Sequence, residues 1–151
     1  VRGEVMEAVL PFIERECGPD SKIAVLGFCW GAWVVVHACG EFGEKFACGV
    51  SAHPSVHNLV GLRGESEEEL LSQIAVPQLV LASKDEPADW KPGGKAEELL
   101  QRTSGHLFRE FPSMNHGWVP RGDLSDPAVS ADVARALEYI KGFLAKHLRV
   151  Q

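Results

Sequence analysis

The sequence has 151 residues, of which 45% are hydrophobic and 24% charged, and its formal net charge is -6. That length fits one domain with a proper core, and the acidic balance argues against a nucleic-acid-binding surface. No stretch approaches the ~20 apolar residues that a membrane span needs, and no repeat or low-complexity segment is visible.

The opening segment, Val5 to Glu16, reads as a helix: Val5, Ala8, Val9, Phe12 and Ile13 share one face, with Arg2, Glu4, Glu7 and Glu14 elsewhere. Pro11 should kink it or shift its boundary, and Gly18-Pro19-Asp20 ends it. Lys22–Leu26 has the continuous apolar character of a buried parallel strand. A helix then begins with Ala32-Trp33-Val34-Val35-Val36 and runs to about Cys39, where Gly40 stops it. Phe46–Ala52 is the next strand, closed by Pro54. Ser66-Glu67-Glu68-Glu69 is a capping-box pattern that starts a short helix through Leu70, Leu71 and Ile74. Pro77 ends that helix and leads into the third strand, Pro77–Ala82. Lys91–Gly94 reads as a flexible connection to a helix around Lys95–Thr103, and Leu107–Phe111 is the fourth strand. Asp126-Pro127 starts the last helix, with proline suited to the first turn. Its residues Val129, Val133, Leu137, Ile140, Leu144 and Leu148 form one stripe toward the sheet. Strands alternating with helices predict a three-layer α/β/α sandwich around a mainly parallel sheet.

Chemistry concentrates just past the strand ends. Gly27-Phe28-Cys29-Trp30-Gly31 joins a strand to a helix with a thiol at the apex. In this elbow pattern glycines allow a turn tight enough to present one strained nucleophile. The helix N-terminus behind it favours thiolate. The blander reading is a small hydrophobe in a glycine-rich turn. Asp85 follows the third strand and His116 the fourth, so nucleophile, acid and histidine occur in the chain order of α/β-hydrolases. All three then lie at the carboxyl edge of the sheet, where open α/β folds build their sites. Glu86 and Asp89 compete with Asp85 for the acid role; Asp85 comes first after the strand and is shorter, which suits a fixed bond to imidazole. Cys17, Cys39 and Cys48 have neither metal-pair spacing nor an elbow, and Cys39 and Cys48 read as buried reduced thiols. No metal or cofactor motif is present.

Together these stretches resemble the dienelactone hydrolase family, cysteine-bearing members of the α/β-hydrolase superfamily. The resemblance rests on Gly27-Phe28-Cys29-Trp30-Gly31-Ala32, on Ser51-Ala52-His53-Pro54-Ser55, on Asp85, and on His116-Gly117-Trp118 with Arg121. It spans roughly residues 5 to 147, and the His-Pro-Ser variant is most similar to the broad eukaryotic branch. The resemblance implies an α/β-hydrolase fold whose N-terminal strands are missing here, so that residues 1–151 form a single partial domain. It also implies Arg121 as a partner for a substrate carboxylate; a surface arginine near Asp123 is the alternative. Trp118 would form an apolar wall of the pocket or simply pack the loop, and His53, beyond a strand on the same edge of the sheet, would line the pocket.

The expected reaction is hydrolysis of a small carboxylic ester or lactone. Cys29 thiolate attacks the carbonyl to give a thioester, His116 shuttles the proton and activates water, and Asp85 holds the imidazole tautomer. The Trp30 backbone N–H would be one oxyanion donor. Two rival readings stand beside it: a truncated or non-catalytic hydrolase-fold module that binds a partner, and a redox-sensing thiol. The first strand should have an open edge, covered by another chain or by a preceding segment. The reduced thiols suggest a cytoplasmic setting.

Overall fold

A computed structural model of the chain describes residues 3–101 and 104–148, without the side chains of residues 4–6. The four apolar runs form strands β1 (Ile23–Phe28), β2 (Phe46–Ala52), β3 (Gln78–Ser83) and β4 (Leu107–Phe111). They pair in parallel in the order β1-β2-β3-β4, each next to its neighbour in sequence. Parallel neighbours require crossover connections: α2 (Gly31–Glu41) joins β1 to β2, α3 (Val56–Arg63) and α4 (Glu67–Ser72) join β2 to β3, and α5 (Lys95–Leu100) joins β3 to β4, while α1 (Glu4–Cys17) precedes the sheet and α6 (Trp118–Arg121) and α7 (Pro127–Leu148) follow it.

Side chains alternate across the pleat, so each strand feeds two cores. On one face Val80 and Phe108 pack with Trp33 and Val36 of α2, Leu71 of α4, Leu100 of α5 and the buried Trp90. On the other, Cys48, Val50, Leu79, Leu81 and Phe111 meet Val133, Ala136, Ile140 and Phe143 of α7. Each large aliphatic or aromatic side chain so buried stabilises the fold by about 1.5–3 kcal/mol. The result is the expected three-layer sandwich, an α/β-hydrolase fold.

Local signals behave largely as the residues dictate. Ser66 Oγ accepts from the Glu69 N–H at 3.2 Å, capping α4. Asp126 Oδ1 accepts from the Ala128 N–H at 2.8 Å, with Pro127 first in α7. Several expectations need correction. Helix α1 runs through Pro11 as one element, so no boundary falls there, and among its described side chains the buried one is Leu10, against Ala38 and Phe46. Val9 and Phe12, on the expected apolar face, are exposed. In α7 the seam is Val133, Ala136, Ile140 and Phe143, whereas Leu137 is 45% exposed. Repeated steps of four drift off a 3.6-residue face, and alternating steps of three and four hold it. Helix α3 was not foreseen. The Lys95 helix ends at Leu100, and residues 102–103 of its expected range lie outside the described residues. The Lys91–Gly94 connection closes as a tight turn, Gly94 N–H donating to Lys91 O at 2.9 Å. Strand β1 is only partly buried, with Leu26 37% exposed, because nothing among the described residues pairs with its outer edge.

Candidate active site

Where β1 meets α2, a Cβ on Gly27 would lie 2.3 Å from the Gly31 carbonyl oxygen, so only glycine fits. Gly31 itself faces open space; its backbone, not its missing side chain, makes the approach close. Cys29 adopts a left-handed φ of 57°, which a non-glycine residue occupies only under surrounding constraint. That constraint is visible: its N–H donates to Ala52 O at 3.1 Å, and its carbonyl accepts from Ala32 N and Ser55 N, each at 3.1 Å. The thiol is thereby lifted, half-buried, off the carboxyl edge of the sheet.

The loop after β4 brings His116 opposite. The acid on its ring is Glu86, not the expected Asp85. His116 Nδ1 lies 2.8 Å from Glu86 Oε1, while Asp85 Oδ2 accepts from the His116 backbone N–H at 2.6 Å. The turn after β3 explains the exchange. Asp85 N–H donates to Ser83 Oγ, and the Glu86 carboxylate folds back to accept the Ser83 N–H. This leaves Asp85 exposed at the corner and returns Glu86 to the interior, where it is 4% exposed. The longer side chain then reaches the ring from inside. Cys29, Asp85 and His116 thus converge, with Asp85 holding the backbone of the histidine and not its imidazole.

Ser55 completes the cluster and was not singled out for a role from sequence. Its Oγ lies 3.6 Å from Cys29 Sγ and 3.4 Å from His116 Nε2. Burial pushes the Cys29 thiol up, but hydrogen bonds from His116, Ser55 and the Trp30 backbone N–H, with the His116 charge, outweigh it and hold the thiol below its ordinary 9.0. Burial likewise pulls His116 down, and its bonds to Cys29 and Glu86 and their negative charges overcome this to hold it above 6.5. The two shifts are reciprocal and favour a thiolate–imidazolium pair. By contrast, burial pushes Cys39 up to about 12 and Cys48 up to about 11, as expected of inert core thiols.

The Trp30 backbone N–H helps to hold that thiol down, while the residue is 62% exposed. His53 does not line an open surface. It is fully buried at a left-handed φ of 41°, with ring centroids 4.8 Å from His116 and 5.4 Å from Trp118. Both its ring nitrogens lack hydrogen-bond partners among the described residues. Trp118 is also buried, tilted on Phe111 at 5.0 Å. Beside it opens a cleft of about 510 Å³ lined by Asn115, His116, Gly117, Trp118 and Arg121. Arg121 is exposed and lies directly over Gly117, and no ion pair engages it among the described residues. Asp123, its expected neighbour, bonds Ser125 instead. No described helix is long and apolar enough to cross a membrane. No group of potential metal ligands occurs among the described residues.

Comparison with known proteins adds to this geometry. The family model of the Dienelactone hydrolase family matches residues 4–148. An AIM2 family protein of Schizosaccharomyces pombe is 36% identical over 124 residues, covering 79% of this chain and 44% of the relative. A carboxymethylenebutenolidase homolog of Rattus norvegicus is 27% identical over 121 residues, covering 77% of this chain and 44% of the relative. The chain therefore spans less than half the length of these curated relatives. Among solved structures, Pyrococcus horikoshii acylaminoacyl peptidase superposes with a TM-score of 0.70 at 15% identity, over 98% of this chain and 28% of that one. At such identity the likeness concerns the fold.

Proposed function

We propose that the chain, which belongs to the dienelactone hydrolase family, carries the catalytic centre of a hydrolase of small carboxylic esters or lactones with Cys29 as nucleophile. The observation that carries the reading is the reciprocal pairing of a strained elbow thiol with an imidazole whose far nitrogen rests on a buried carboxylate. The thiolate attacks the carbonyl carbon, the C–O electron pair moves to the oxygen, and the Trp30 N–H stabilises that oxyanion. Collapse expels the alcohol or enol, which takes the proton from His116, and leaves a thioester on Cys29. His116 then takes a proton from water, whose oxygen attacks the thioester and releases acid and thiolate. Glu86 holds Nδ1–H and stabilises the imidazolium; Asp85 fixes the loop through its backbone. Arg121, free at the cleft beside His116, suits a substrate that carries its own carboxylate.

The test is turnover of a small activated ester by the full-length protein and by Cys29→Ala. Loss of at least a thousandfold in kcat is expected on removing the nucleophile. Unchanged turnover in Cys29→Ala would reject the thiol as nucleophile. Binding of a carboxylate-bearing ester should weaken in Arg121→Ala more than binding of its neutral counterpart.

A further inference from the structure

Ser55 sits where a helix cap belongs, yet it does not cap. It is the N-cap residue of α3, and its backbone carbonyl accepts from Asn58 N and Leu59 N at 3.2 and 3.4 Å. A serine at this position ordinarily turns its hydroxyl onto an N–H of the first helical turn. Here the side chain makes no cap bond; the hydroxyl lies instead between Cys29 Sγ and His116 Nε2. The backbone holds it there, since Ser55 N–H donates to the carbonyl of Cys29 itself. His53, two residues before, adopts a left-handed φ of 41° in the same connection.

We propose that Ser55 is a positioning residue for the thiolate–imidazolium pair, its hydroxyl donating to Cys29 Sγ and accepting from His116 Nε2–H. The hydroxyl then solvates the thiolate in place of water, and its oxygen gives the protonated ring a second acceptor opposite Glu86. The titratable groups facing this pair are His116 itself, Glu86 on its Nδ1, Asp85 on its backbone N–H, and His53 against its ring, with the Arg121 charge acting on His53. This inference rests on the hydrolase reading only for its purpose, because the thiolate is stabilised before any substrate arrives.

The experiment maps iodoacetamide labelling at Cys29 by mass spectrometry across pH, on full-length wild type, Ser55→Ala and Ser55→Thr. In Ser55→Ala the labelling midpoint should move up by about one pH unit, slowing Cys29 labelling about tenfold near neutrality. Ser55→Thr, which keeps the hydroxyl, should restore the wild-type profile. The melting temperature of Ser55→Ala should equal that of wild type, since the hydroxyl caps nothing. A wild-type profile in Ser55→Ala overturns the proposal, and so does loss of its melting transition, which would assign the hydroxyl to the fold. Normal ester turnover by Cys29→Ala would instead reject Cys29 as the hydrolase nucleophile and leave this titration as the judge of what the Ser55 hydroxyl does for the thiolate.

Discussion

Two adjacent carboxylates hold His116 by different atoms, and their consequences differ. A carboxylate on Nδ1 fixes the tautomer and stabilises imidazolium as it forms, whereas one on a backbone N–H acts only through loop position. Glu86→Gln is therefore expected to lower kcat by about 10³–10⁴, by analogy with amide replacement of a triad acid. Asp85→Asn, which keeps an acceptor for the His116 N–H, should cost about tenfold or less. Side-by-side ester kinetics would decide it, and the reverse order would return the acid role to Asp85. Cys29 and His116 were legible in the sequence because glycine chemistry and strand ends are local signals. Glu86 was not, because its advantage over Asp85 is burial, created when the turn at Ser83 folds back. Ser55 was hidden for a related reason: a cap serine looks the same in sequence whether its hydroxyl serves the helix or the thiol.

His53 gives a second test at this scale. Burial, followed by the charge of His116, pulls it from 6.5 down to about 4. The folded protein thus resists a proton that the unfolded chain accepts. Stability from this residue is complete above about pH 6.5 and declines as pH falls toward 4, by about 1.4 kcal/mol per pH unit. Denaturant unfolding of wild type and His53→Gln across that window should show a shallower slope in the variant. Parallel slopes would mean that His53 is protonated in the fold.

Among the elements, the elbow and α7 make the sharpest claims. Gly27→Ala would drive a methyl to 2.3 Å from the backbone oxygen of Gly31, a clash no rotamer can relieve. Its expected result is loss of the folded elbow, read as slowed Cys29 labelling and a lowered melting temperature. Gly31→Ala meets open space and should retain both. On α7, Phe143→Ala should destabilise by about 3–5 kcal/mol, since it empties a packed core position. Leu137→Ala, on the exposed side, should stay within about 0.5 kcal/mol. The periodicity of α7 showed that a helix packs on the sheet, but not which of two neighbouring stripes faces it. Leucine and alanine there are read by size in sequence, and the geometry of the seam selects Ala136 over Leu137. The strands were legible because a parallel sheet buries both faces and leaves continuous apolar runs. Helix α3 was missed because Val56–Arg63 has no sustained apolar stripe, only Val56 and Val60 being buried.

For the whole molecule, the sheet sets everything on one edge. Strands β1 to β4 end at Phe28, Ala52, Ser83 and Phe111, and the connections that follow carry Cys29, Ser55, Glu86 and His116. Four separate connections therefore meet, and two buried cores keep their ends in register. The central claim is that this meeting point makes Cys29 an acyl carrier. The most direct measurement is to quench the full-length protein in acid during turnover of a slowly hydrolysed activated ester and map the modified peptide by mass spectrometry. One acyl group on Cys29, absent from Cys29→Ala and from unfolded protein, is the expected result. Hydrolysis that proceeds with no adduct on Cys29, or with the acyl group on another residue such as Ser55, would contradict it.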